Sequence, residues 1–347
     1  MIKLFPWQKT QIQQIIEMSK QKRLPHALLL SGPDGIGLKK FALFVAANRL
    51  CLINEMQQPP CGECQSCQLF LGRSNPDIKL IEPEKEGGQI KIDTIREVVS
   101  YASLKSFLNN NMKIIIISQA DAMNRSAANS LLKVLEEPSS QSMFILLSHR
   151  PSQLLVTIRS RCQKINFNPT YENESIEWVD GAFNNSNFSS DLLLRLAGGG
   201  PLKVKKLLEE DYLDYRVNLL KDLDSLNKRN TNPVDIAKNW NEFSKDKIKS
   251  KDKIKSAETT IFCLMQLIND LVRLKLCPKM ENIVNIDLIE DLHGISNTLD
   301  LLKLIRSYDF ILLKYKELVG PMNYNSLAIL EEIALFWKNY NHSMIMK

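Results

Sequence analysis

Two groups of residues have types and spacing suited to chemistry. The first is Gly32-Pro33-Asp34-Gly35-Ile36-Gly37-Leu38-Lys39, the frame of a phosphate-binding loop of the form Gly-x-x-x-x-Gly-Lys-Ser/Thr. In such a loop backbone N–H groups cradle phosphates, the lysine reaches the outer phosphates and the hydroxyl ligates magnesium. With Gly32 and Gly37 on the two glycines and Gly35 between them, Leu38 takes the lysine position and Lys39 the hydroxyl position. Sliding the motif by one residue does not restore it, because each helical step turns a side chain by about 100°. The three glycines are expected to survive as a vestigial cradle, with ATP not bound or not hydrolysed.

The second group is Cys51, Cys61, Cys64 and Cys67, four of the seven cysteines in one short stretch. Clustered thiols with two-residue gaps read as a tetrahedral structural zinc site. The turn-forming Pro-Pro-Cys-Gly-Glu-Cys-Gln-Ser-Cys lets the backbone wrap an ion. No histidine or carboxylate leaves a fourth position open, which argues against a catalytic metal. Cys263 and Cys277 fall in apolar helical surroundings and are expected in the core.

These groups must be positioned by regular elements. A helix over 7–21 precedes an apolar strand at 26–31, which runs into the loop and a helix over 39–50, the order a phosphate loop requires. Further strands are expected at 77–81, 113–118 and 143–148, with helices at 92–108, 124–136 and 152–159. The first of these helices should turn Ile95, Val98, Val99 and Leu104 inward. The β-branched run Ile114–Ile117 suits a central strand buried on both faces. Strands alternating with helices imply a parallel α/β sheet. From about residue 168 a polar stretch begins and the strands stop. Helices are expected over 191–209, around the break at Gly198–Pro201, then at 212–227, 233–243, 257–276, 286–317 with an interruption, and 325–341. Leu327, Leu330, Ile333, Ala334 and Trp337 repeat at helical spacing.

At 347 residues the chain has room for two or three domains. A hydrophobic share of 44% with 24% charged residues excludes a disordered chain. No apolar run reaches the length of a membrane span and the first residues lack a signal-peptide layout, so a cytoplasmic location without membrane contact is expected. The net charge of +6 permits nucleic-acid contact without requiring it. The tandem Lys-Asp-Lys-Ile-Lys-Ser at 245–250 and 251–256 reads as a solvated lysine-rich segment, with phosphate-backbone contact as the alternative.

Nucleotide hydrolases of this architecture place acidic residues at the end of the central strand, to hold magnesium and polarise water. Here Ser118 and Gln119 stand in those places. The segment Gln119-Ala120-Asp121-Ala122-Met123-Asn124, continuing Ala127 to Pro138, resembles the core signature of AAA+ clamp-loader subunits. So does Thr157-Ile158-Arg159-Ser160-Arg161-Cys162. The resemblance runs from Phe5-Pro6-Trp7 through the cysteines to Asn325-Ser326-Leu327 and Trp337.

It implies an α/β plus all-α chain in three parts. These are an AAA+ P-loop parallel-sheet domain over 1–168 with an inserted zinc module at 51–67, a small helical lid at 169–209, and a helical collar for oligomerisation at 210–347. It implies that Arg161, next to Ser160, is an arginine finger acting in trans on a neighbour's ATP, with Arg159 as the nearby competitor. Ser148 falls on the polar sensor position as a vestige, and Leu202 on the second-sensor arginine, with Lys203 out of register. The implied partners are the gamma/tau and delta loader subunits and, through the complex, the sliding clamp and primed DNA. Two alternatives stay open. One is an active clamp-loader ATPase with an atypical loop. The other is a zinc-dependent DNA-binding protein, which would show steep salt dependence.

Overall fold

The computed structural model describes residues 3–340 apart from 55, 57, 86, 109–111, 139–140, 184–187, 210–211, 247–252, 280–282 and 321–323. Residues 247–252, half of the lysine repeat, lie outside the described residues. The chain divides into two compact units, one of Met1–Ala182 with Gly198–Lys203, the other of Phe183–Ala197 with Val204–Lys347. The interval 169–209 is therefore shared between both.

In the first unit α1 (Lys9–Lys20) leads to β1 (Ala27–Ser31), α2 (Leu38–Leu50), α3 (Gln65–Leu71), β2 (Ile78–Ile81) and α4 (Ile92–Ala102). Then follow β3 (Lys113–Ile117), α5 (Arg125–Glu136), β4 (Ser142–Ser148), α6 (Val156–Arg161), β5 (Gln163–Asn166) and α7 (Asn173–Ala182). The five strands form one sheet in the order β2-β3-β4-β1-β5, and every pairing is parallel. Alternate residues face opposite layers, as strand geometry requires. Leu28, Leu30, Ile114, Ile116, Ile145 and Leu147 pack with Ile15, Phe41 and Val45 on one side. Leu29, Ile115, Ile117, Phe144 and Leu146 pack with Ile95, Leu131 and Ile158 on the other. The chain leaves β1 toward β2 and leaves β4 toward β5, in opposite directions, so a crevice opens at the carboxyl ends of β1 and β4, where open α/β sheets take their ligands.

Several sequence expectations change. The helix expected over 92–108 ends at Ala102, and Leu104 is 59% exposed rather than inward. The reason is Asp77, whose fully buried carboxylate accepts hydrogen bonds from the Phe107 and Leu108 amides at 2.7 and 2.9 Å. Those amides are fixed in a loop. Asp77 also pairs with the buried Lys113 Nζ at 3.3 Å, and Lys113 sits 4.2 Å over the Tyr101 ring. Asp77→Ala would strand that ammonium in the core, with an expected loss of about 3–5 kcal/mol of stability. Chemical denaturation of the variant checks it. The helix expected over 152–159 is a 3-10 turn followed by α6; the polar stretch beyond it hid β5 and α7, and the turn-rich cysteine segment hid α3. β5 reads Gln-Lys-Ile-Asn with only Ile165 buried, the alternation of an edge strand.

The second unit is helical: α8 (Ser190–Leu196), α9 (Val204–Glu209), α10 (Tyr212–Asn227), α11 (Pro233–Asp246), α12 (Lys253–Leu276), α13 (Ile289–Thr298), α14 (Leu301–Leu318) and α15 (Ser326–Tyr340). Asp300 caps α14 by accepting from the Leu302 and Lys303 amides, which explains the interruption within 286–317. Leu330, Ile333, Ala334 and Trp337 are buried along α15, and the Trp337 indole donates to Leu223 O at 3.0 Å. Arg216 is fully buried and its Nη1 donates to Asp287 Oδ1 at 2.8 Å and Asn285 Oδ1 at 3.1 Å. Cys263 is in this core, where burial pushes its thiol up to about 12. Cys277 is not: it lies just past the end of α12 and is exposed. No described helix is long and apolar enough to cross a membrane.

Candidate functional site

The loop at the carboxyl end of β1 runs straight into α2. Gly35 and Gly37 have φ of +82° and +90°, a region that other residues enter only with strain. A Cβ on Gly32 would meet the Phe167 Cβ and carbonyl at 2.7 and 2.8 Å. A Cβ on Gly37 would meet the Phe5 ring at 2.8 Å. The cradle is braced from outside: the Trp7 indole and the Gln8 amide each donate to Ile36 O at 3.0 Å. Phe5 stacks on Trp7 at 4.8 Å, and Trp178 of α7 meets both edge-on.

The loop is also held by the protein's own backbone. Leu202 N–H donates to Gly35 O at 3.0 Å. A Cβ added to Gly35 would lie 2.7 Å from the Lys203 backbone nitrogen, and one added to Gly200 would lie 2.0 Å from Asp34 O. Backbone thus touches backbone here, with no room for side chains. The amides of Gly32 and Ile36 donate to Ser148 O and Pro33 O. His149 Nδ1 lies 2.9 Å from Gly32 O and closes the other side.

No cation serves this loop from α2. Leu38 is buried at 2% exposure. Lys39 turns away to pair with Glu82 Oε2, just past β2, at 2.6 Å. Lys40 sits 3.9 Å over the Phe5 ring. At the end of β3, Ser118 is buried and Gln119 takes a left-handed turn at φ +56°. Neither can supply a carboxylate. Ser148 is fully buried, and its Oγ accepts from the Arg150 amide at 3.1 Å.

Arg161 closes α6 on a face whose neighbours Val156, Thr157 and Ser160 are exposed. Its Nη1 donates to Thr157 O at 3.0 Å, and its Nη2 pairs with Glu136 Oε1 at 2.5 Å. Both side chains remain partly open to solvent, at 34% for arginine and 48% for glutamate, so the pair contributes only about 0.2–1 kcal/mol. Ser160 Oγ donates to Thr157 O at 3.0 Å. Cys162 turns inward, and burial raises its thiol to about 11. The competitor Arg159 has its Nε enclosed without a hydrogen-bond partner. Sequence reading singled out Arg161 but missed Glu136 and Glu82 as its and Lys39's partners. Both belong to elements distant in sequence, and only the fold brings them near.

The four cysteines converge between α2 and α3, with their sulfurs within 4.8 Å of one another. Cys61 Sγ and Cys67 Sγ are 3.8 Å apart, and four sulfurs each about 2.3 Å from one tetrahedral ion stand about 3.8 Å apart. Backbone amides point at them: Asn54 N and Cys61 N donate to Cys51 Sγ at 3.4 and 3.5 Å, and Cys64 N to Cys61 Sγ at 3.4 Å. Such donors favour thiolate. Burial opposes the Cys64 thiolate, yet backbone groups of Leu52 and Cys67 and the neighbouring thiols outweigh it and hold the pKa below its ordinary value. The group is able to hold a metal ion.

A five-stranded parallel sheet with a glycine-rich loop at its switch point, flanked by helices on both faces, defines an open α/β protein. A family model described as DNA polymerase III, delta subunit, matches residues 7–171. DNA polymerase III subunit delta' of Pseudomonas aeruginosa is 29% identical over 97% of this chain and 98% of its own. The subunit delta' of Buchnera aphidicola subsp. Schizaphis graminum is 31% identical over 64% of this chain and 67% of its own. A gamma subunit-related protein from Thermotoga maritima superposes with a TM-score of 0.43 at 19% identity, covering 95% of this chain and 99% of that one. The chain belongs to the family of DNA polymerase III delta' subunits.

Proposed function

We propose that the chain is the non-hydrolysing member of a DNA polymerase III clamp loader, acting on ATP held by a neighbouring subunit rather than on its own. One contrast carries the reading. The position from which a lysine would reach the phosphates holds the buried Leu38, while Arg161, paired with the half-exposed Glu136, ends a helix whose neighbours Thr157 and Ser160 are exposed. In this reading 1–168 is an AAA+ domain, 169–209 a lid and 210–347 a collar that docks with gamma/tau and delta subunits. The assembly places the sliding clamp on primed DNA in the cytoplasm. Arg161 would stabilise charge on the transferring phosphoryl group of the neighbour, and Ser160 would help set its helix end. The hydrogen bond from Leu202 N–H to Gly35 O, which ties the loop to residues 198–203, supports a subunit whose shape does not respond to nucleotide. Gly32, Gly35, Gly37 and Ser148 are then a retained frame, not a working site.

Cys51, Cys61, Cys64 and Cys67 would hold a structural zinc ion, a closed four-thiolate set that leaves no position for water. Bound there, zinc would tie the 51–67 segment together and take no part in hydrolysis.

Reconstitution tests the assembly. Mixed with gamma/tau and delta, the chain is expected to elute with them as a stoichiometric complex that loads clamps. A loader of full activity formed without it would contradict the reading. The active-ATPase alternative loses ground because the full-length relative is a delta' subunit and both strand-end acidic positions are filled by Ser118 and Gln119.

A further inference from the structure

We propose that Glu136 is the positioning residue for Arg161: it fixes the guanidinium in the direction from which a neighbouring subunit's ATP is met. The inference rests on the reading of Arg161 as a finger acting in trans and adds a residue to it. Glu136 is the last residue of α5, and its Oε1 lies 2.5 Å from Arg161 Nη2. Arg161 Nη1 donates to Thr157 O, one turn back on α6, at 3.0 Å. One restraint acts at each terminal nitrogen, from two different helices. Together they set both the position and the plane of a side chain that otherwise rotates freely about its long stem. A guanidinium has five N–H donors, and these contacts leave others for an anion.

The pair is not needed to join the helices. Leu131 and Leu135 of α5 and Ile158 of α6 are buried together with Cys162 in the apolar layer beneath. A carboxylate kept half-exposed above a finished apolar contact adds little to stability. Its consequence falls on the arginine's geometry. Displacement of a catalytic group by about 1 Å can cost 10²-fold in rate. Glu136 does not touch the nucleotide and takes no part in proton transfer. It acts only through Arg161.

The test uses the reconstituted loader with single-turnover ATP hydrolysis at the site facing this chain. Glu136→Ala is expected to lower that rate by about 10–100-fold, with unchanged KM for ATP, complex assembly and thermal unfolding. Glu136→Gln keeps an acceptor oxygen without the charge, and its rate should fall between Ala and the parent. Arg161→Ala should lose more, and adding Glu136→Ala to it should change nothing further. A purely structural glutamate would give additive losses with reduced thermal stability, which overturns the proposal. So does an unchanged or faster rate in Glu136→Ala, the faster one marking the pair as a brake. If Arg161→Ala itself leaves the rate untouched, the finger reading falls and this inference with it. A loss in Arg161→Ala with none in Glu136→Ala removes the inference alone.

Discussion

Arg161→Ala in the reconstituted loader should leave assembly intact and slow hydrolysis at the facing ATP by about 10³–10⁵, the range for arginine fingers supplied in trans. That corresponds to about 4–7 kcal/mol of barrier. The effect on the chain itself should be small, because the guanidinium is about a third exposed and its pairing with Glu136 contributes little to folding. Large in one assay and near zero in the other, the response separates a catalytic role from a packing one. Arg161→Lys should recover little of the rate, since an ammonium cannot reproduce the planar fork that grips phosphate oxygens. Arg159→Ala is the matched control. Its Nε is enclosed against the protein, so its loss is expected in stability and not in turnover.

The second large effect concerns the cysteines. The purified chain should carry one zinc per molecule by elemental analysis. Removal by chelator, or Cys64→Ser, should destabilise the first unit by about 4–5 kcal/mol, a size typical of lost metal sites. The coupling runs through Met56, which lies between the first and second cysteines and is buried at 1% exposure in the same apolar layer as Leu50 and Phe41. When the module opens, that layer loses a side chain. Acid should act in the same direction, because thiolates must take up protons as the metal leaves. A chain that purifies without metal and unfolds identically with and without chelator would remove zinc from the account.

The strands that bury both faces were readable because β-branched and leucine runs at 26–31, 113–118 and 143–148 leave no other way to hide so much apolar surface. The structure gives Ala27–Ser31, Lys113–Ile117 and Ser142–Ser148. β5 was hidden because an edge strand needs only one buried residue, here Ile165, and Gln-Lys-Ile-Asn carries no run to read. The end of α4 depended on Asp77, a carboxylate thirty residues upstream in sequence that captures two loop amides. No local pattern reports that. The site behaved in the same way. Which groups the loop and the strand end do not supply was plain in Leu38, Lys39, Ser118 and Gln119, since residue types need no coordinates. Where the remaining charges point was not. Lys39 meets Glu82 and Arg161 meets Glu136 only once β2 and α5 have taken their places. The tie between the loop and Leu202 was also invisible, because Leu202 contributes a backbone N–H that any residue but proline would offer.

Phosphate release from ATP by the isolated, zinc-loaded chain with magnesium present is the most direct measurement. A chain whose loop has Leu38 at the lysine position and whose strand end has Ser118 and Gln119 at the acidic positions should release none above background. The same preparation should restore rapid hydrolysis when added to loader subunits lacking it. Sustained release by the lone chain, abolished by Gly37→Val in the loop, would show a working site where none is described and would contradict the account.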